Sequence, residues 1–191
     1  MRGVRGLRRC ARAPTRARCV AGSWKAEAME GPERSHPTRS LIDREWTRIG
    51  ETIDGLSAAE MERPAFDPEF GESPWTVKVL LVHMAAWKRN MLRVAEMVRA
   101  DPSSVPSTGT PDEILQIDFD AFNREQQARW SHCSLDEALT EHRAAHAELL
   151  AALATIPDEA IPLPDSRNIW PYPAIWHVKA HRLDIIDALG A

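Results

Sequence analysis

From Thr38 onward, apolar residues recur at steps of three and four, the spacing of one buried face of an α-helix. Leu41, Ile42, Trp46, Ile49 and Ile53, with Glu45 among them, predict a first helix over about Thr38–Leu56. Ser57-Ala-Ala-Glu60 has the spacing of a capping box and predicts one short turn before Pro64. Ser73-Pro74 offers a hydroxyl at a helix N-cap and a proline at its first position, so a second helix is expected from there to about Ala100, where Asp101-Pro102 ends it. Its inward stripe reads Trp75, Val79, Val82, His83, Ala86, Trp87 and Asn90. The Pro-, Ser- and Thr-rich stretch 102–111 predicts a loop, and 112–131 a helix broken near Asp118. A second capping box, Ser134-Leu-Asp-Glu137, opens a third main helix that carries Leu139, His142, His146 and Leu149 and closes near Pro157. Pro173 starts the last helix, roughly 173–189. Four amphipathic helices with one longer connection predict an all-α protein, a four-helix bundle, whose sites are built from side chains on facing helices.

Composition narrows the class. At 191 residues, 43% hydrophobic and 27% charged, the chain is sized for one globular domain, expected over 38–191. No apolar run approaches the ~18 residues that a membrane span requires, so no membrane partner is expected. The net charge of −4 is uneven: residues 1–28 hold seven arginines and Lys25 against Glu27, which leaves 29–191 at −11. An acidic body is poorly suited to phosphate contacts, so no nucleic-acid partner is expected. Residues 1–37 read as a disordered basic arm. It is Arg-rich like a transit peptide but has no apolar core for secretion, and Met29 is the preferred start. Cys10 and Cys19 lie in the arm and Cys133 stands alone in the body, which fits a reducing, cytoplasmic setting. Cys133 beside His132 has the residue types of a nucleophile and its base, but adjacent helical residues do not face each other.

The histidines carry the sharper chemistry. His177 and His181 are four apart, so their Cβ atoms lie about 6 Å apart on one helix face, a spacing that suits one metal ion. His83, on the inward stripe of the second helix, could supply a third imidazole, and three imidazoles with an open position form a catalytic type of site. Asp184 reads either as a partner that orients His181 or as a solvated charge. His142 and His146 have the same spacing and also border an apolar stripe. Spacing alone does not separate the two pairs, and a histidine beside an apolar face is often only a hydrogen-bonded residue. No phosphate loop, dinucleotide fingerprint or Ser-His-Asp arrangement is found.

Pro74-Trp-Thr-Val-Lys-Val-Leu-Leu-Val-His-Met-Ala-Ala-Trp87 resembles the second-helix signature of the DinB-like superfamily, which includes mycothiol-dependent maleylpyruvate isomerases and DfsB/ClbS-type proteins. Leu41–Met61 resembles its first helix and acidic turn, Asp136–Pro157 its third helix, and Asn168 with His177-Val-Lys-Ala-His181 its closing motif. The resemblance spans 38–189 and implies the bundle fold, a homodimer, and a divalent metal (zinc or nickel) on His83, His177 and His181. It further implies a thiol S-transferase, isomerase or hydrolase acting on an electrophilic small molecule, with a low-molecular-weight thiol as a second cofactor. The isomerases carry a separate C-terminal domain that has no counterpart in this sequence, which weakens a maleylpyruvate assignment. A non-catalytic module that sequesters a ligand or serves a stress response is the alternative. Trp75, Trp87, Trp170, Tyr172 and Trp176 would gather near the site, either as walls of a substrate pocket or as core packing.

Overall fold

The helices follow the apolar spacing closely, with their ends adjusted by local chemistry. The computed structural model describes residues 36–67, 74–103, 109–163 and 170–190. Most of the basic arm, Met29, Cys10, Cys19, Ser73 and Asn168 lie outside these residues. Helix α1 spans Pro37–Ile53, begun by His36, whose Nδ1 accepts from the Thr38 amide at 3.2 Å. It stops short of Leu56 because Asp54 is extended and Gly55 takes φ of +77°, a left-handed turn that favours glycine. The Ser57–Glu60 capping box forms and starts α2, Ala58–Met61.

The second main helix departs from expectation at its start. Pro64–Phe66 (β1) and Trp75–Thr76 (β2) pair as a short antiparallel ladder. The extended backbone at Trp75 and Thr76 therefore delays α3 to Val77–Ala100, with Thr76 rather than Ser73 as its cap. Thr76 Oγ1 accepts from the Val79 amide, and the Val77 amide is taken by the Arg63 carbonyl at 3.0 Å. Every residue from Val77 to Lys88 is buried, so this first half of α3 is enclosed on all sides and the expected stripe widens there to the whole circumference, while the second half keeps an exposed face at Arg93, Glu96 and Arg99.

The 112–131 segment breaks where Asp118 suggested. Helix α4 is Pro111–Leu115, and Gln116 turns the chain at φ of +53°. Asp118 then caps α5, Phe119–Trp130, accepting from the Ala121 amide at 2.9 Å. The Ser134–Glu137 capping box starts α6, Leu135–Ala154, and Pro173 starts α7, which runs to Leu189. The all-α expectation holds: four helices of seventeen residues or more frame the molecule, with three shorter ones between them among the described residues. Helix α3 packs most extensively on α6, and α1 on α7. No described helix is long and apolar enough to cross a membrane.

Two apolar clusters fill the two ends of the frame. One gathers Ile42, Met91, Val94, Leu149, Leu153 and Trp170; the other gathers Ile49, Ile53, Trp75, Leu80, Leu81 and Ile185. Between them, near the middle of each long helix, lies a layer of buried polar residues: Glu45 on α1, His83 and Lys88 on α3, His142 and His146 on α6, and His181 on α7. Burying that many polar groups costs stability unless each finds a partner, so the layer is where function is sought.

Candidate metal centre

Three imidazoles from two helices converge within the polar layer. His83 Nε2 lies 2.9 Å from His177 Nε2, and His181 Nε2 lies 3.0 Å from that same atom. The ring planes are splayed at 67°, 72° and 77° to one another, so the nitrogens point toward a shared centre rather than stacking. His177 and His181 reach it because α7 presents both from one face; His83 reaches it because α3 lies against α7. His83 and His181 are buried and His177 half-buried.

The protonation pattern favours a cation. His181 Nδ1 is 2.8 Å from Asp184 Oδ2, which fixes the ring hydrogen on Nδ1 and leaves the Nε2 lone pair facing the centre. Burial first, then the neighbouring His177 and His181, hold His83 well below the ordinary imidazole value. Burial, His181 and Lys88 do the same to His177. These two rings are therefore neutral at pH 7, the state in which an imidazole ligates a metal. In any tautomer that keeps the Asp184 bond, a single hydrogen cannot serve both close Nε2 contacts. A cation among three lone pairs would satisfy all of them. Zinc at ~2.0–2.1 Å from tetrahedral ligands places their nitrogens about 3.3 Å apart, so the rings need spread only by tenths of an ångström. Among the described residues this is the group of histidine, cysteine or carboxylate side chains whose ligand atoms lie close enough to share an ion.

The other histidine pair is built differently. His142 Nδ1 donates to the Leu81 carbonyl at 2.9 Å, while His142 and His146 stack on the Trp46 ring at 4.7 and 4.1 Å. Lys88 Nζ stands over the same ring at 4.5 Å and has no hydrogen-bond partner. Burial pulls the Lys88 amine down to about 7, and burial together with Lys88 pushes His146 down to about 2. One ring nitrogen of this pair is committed to a carbonyl, and no third histidine, cysteine or carboxylate atom joins the pair closely enough to share an ion among the described residues.

The hairpin completes the wall around the triad: Trp75 packs on His83 at 4.3 Å and Phe66 on His181 at 5.0 Å. Trp87 meets His177 at 6.2 Å and gives its indole hydrogen to Asn123 Oδ1. Of the other aromatic residues, Trp170 is buried in the first apolar cluster and donates to the Met91 carbonyl. Tyr172, the N-cap residue of α7, and Trp176 in its first turn are half-buried with ring centroids 5.9 Å apart, and Lys179 lies over Trp176. Trp75 and Trp87 thus touch the triad, while Trp170 packs the core. Burial raises the Cys133 thiol above its ordinary value, opposite to what an activated nucleophile requires.

Sequence reasoning overlooked Lys88, Phe66 and Arg89. Lys88 carries no clear signal in the sequence, because it stands with Arg89 and Asn90 just after the largely apolar run Val79–Trp87, and only the packing of α3 buries it. Arg89 is bound by Glu141 and Glu148 of α6, a pairing visible only once α3 and α6 meet.

The fold is that of a helical protein in which three histidines bring their ligand atoms within 4.8 Å of one another. The family model of the DinB superfamily matches residues 41–183, and the chain belongs to that superfamily. No curated protein and no solved structure matches it.

Proposed function

We propose that the protein is a metal-dependent enzyme in which His83, His177 and His181 hold one divalent ion, zinc or nickel, and that it acts on an electrophilic small molecule. The observation that carries this reading is the convergence of three Nε2 atoms with too few hydrogens to satisfy their contacts. An ion bound there would act as a Lewis acid, lowering the pKa of a bound thiol or water so that its conjugate base exists near neutral pH. The chain's own contribution is positional. Asp184 holds His181 in the ligating tautomer, Trp75 and Phe66 limit solvent on the hairpin side, and Trp87 fixes the edge next to His177. Thiol S-transfer, isomerisation and hydrolysis all suit this arrangement. A low-molecular-weight thiol as co-substrate, a cytoplasmic setting and a homodimer complete the proposal.

Elemental analysis of the purified full chain tests it, beside the His177→Ala/His181→Ala double variant. One zinc or nickel per chain, absent from the variant, is expected. A wild-type chain that takes up no metal at neutral pH would overturn the mechanism.

A further inference from the structure

A cavity of about 390 Å³ opens between α3, α5 and α6, one helical turn from the triad. Its α3 wall includes Ala86 and Asn90, three and seven residues beyond His83 and so on nearly the same side of the helix. Phe122 on its α5 wall packs on Trp87 at 4.9 Å, and Trp87 in turn meets His177 at 6.2 Å, so these two rings link the cavity wall to the centre. None of the five aromatic residues singled out from the sequence lines it; Phe122 and Trp130 do.

The polar groups of this cavity are unevenly committed. Arg89 is spent, since Glu141 takes it through two oxygens at 2.9 and 3.3 Å and Glu148 takes another of its nitrogens. Arg129 is not: its guanidinium lies 5.1 Å over the Trp130 ring and has no carboxylate partner among the described residues. Stacking on an indole holds the planar cation in place while leaving its edge donors open. Asn90 is 4% exposed, and its Nδ2 is buried with no hydrogen-bond partner, a cost that an acceptor on a ligand would remove. With Glu141 set against Arg89, the lining carries one unopposed positive charge beside two aromatic side chains.

We propose that this cavity receives the non-reacting part of the substrate, and that this part is an aryl or alkyl carboxylate. The carboxylate lies on the Arg129 guanidinium, the Asn90 amide supplies a further donor, and Phe122 and Trp130 enclose the apolar body. The inference rests on the metal-enzyme reading and deepens it, because Ala86 in the cavity wall lies one turn along α3 from His83, and Phe122 and Trp87 link the wall to His177. Its binding chemistry nonetheless belongs to the cavity and does not depend on the ion.

The test uses that independence. Phenylacetate and its uncharged counterpart phenylacetamide are titrated into the full chain, metal-loaded and chelator-stripped, while the Trp130 indole and Asn90 side-chain amide resonances are followed by NMR. Phenylacetate is expected to shift both resonances in both forms and to bind about tenfold more tightly than the amide. Arg129→Gln, a change at an exposed position, is expected to erase that difference. Asn90→Leu is expected to weaken the carboxylate with the fold intact by circular dichroism. Equal affinity for acid and amide, no response of either resonance at millimolar phenylacetate, or an unaltered preference in Arg129→Gln would each overturn the proposal. Phenylacetate binding confined to the metal-loaded form would also overturn it, by placing the carboxylate on the ion. Failure of the metal-enzyme reading appears separately, as a chain without metal that still discriminates acid from amide.

Discussion

The chain holds two pairs of histidines four residues apart, and the fold gives them different surroundings. His177 and His181 on α7 meet a third imidazole from α3, with an acid behind one of them and no cation among their direct contacts. His142 and His146 on α6 meet a tryptophan face, a backbone carbonyl and the Lys88 amine; Asp43 Oδ1 lies 3.7 Å from His146 Nε2, but no third imidazole joins them. Both pairs are one-turn neighbours by the same helical geometry, and both belong to the buried polar layer. What differs is the group opposite: lone pairs facing lone pairs call for a cation, whereas rings stacked on an indole beside an amine are already packed. The local motif sets the reach between two ligands, and the partner helix decides whether anything is held there.

The comparison breaks most visibly in metal content. His177→Ala/His181→Ala is expected to fall from one ion per chain to none after dialysis, while His142→Ala/His146→Ala keeps its ion, as read by elemental analysis. The order of effects should reverse for stability without metal. His142→Ala removes a buried ring, its hydrogen bond to Leu81 and its stack on Trp46, and should cost about 3 kcal/mol in denaturant unfolding. His177→Ala, at a half-buried position, should cost clearly less in the same experiment.

Asp184→Asn sharpens the ligand side. Exchanging the carboxylate that fixes the His181 tautomer is expected to weaken metal affinity by about 10–100-fold in a chelator competition, without changing the number of ions bound at saturation.

Lys88→Met sharpens the packed side. Replacing an unpartnered buried amine with an apolar chain of similar length should raise unfolding stability by about 2 kcal/mol near pH 7. Its pH signature follows from linkage. The folded amine titrates near 7 and the unfolded one near 10.5, so the unfolded chain holds more protons between those values, and stability rises with pH across that window. Lys88→Met should flatten this rise. At the acid end, His142 and His146 are depressed below the 6.5 of a free imidazole, so the unfolded state gains protons first and stability falls as pH drops below 6.5. His146→Phe should make that fall shallower, by an amount smaller than the Lys88 effect, as measured by thermal melts from pH 7 to pH 5.

Much of this architecture was legible in the order of residues. Apolar steps of three and four located every long helix, and two capping boxes predicted from Ser57 and Ser134 form as expected. Such features depend on groups within one turn of each other, so their information is local and survives without a fold. The start of α3 was misread because Ser73-Pro74 is a good local cap, whereas pairing of Trp75 and Thr76 with Pro64–Phe66 holds that backbone extended. A ladder between segments ten residues apart overrode a propensity.

The site divides along the same line. Two of its imidazoles and their spacing are properties of one helix, and the resemblance to a superfamily pointed to the third. Only the packed structure decides that His83, 94 residues before His177, sits at contact distance, that Lys88 occupies the neighbourhood of the other pair, and that Arg129 is left without an acid while Arg89 is not. Helical periodicity specifies which side chains share a face; which faces meet depends on how four helices bury their apolar area together, and that is a property of the whole chain.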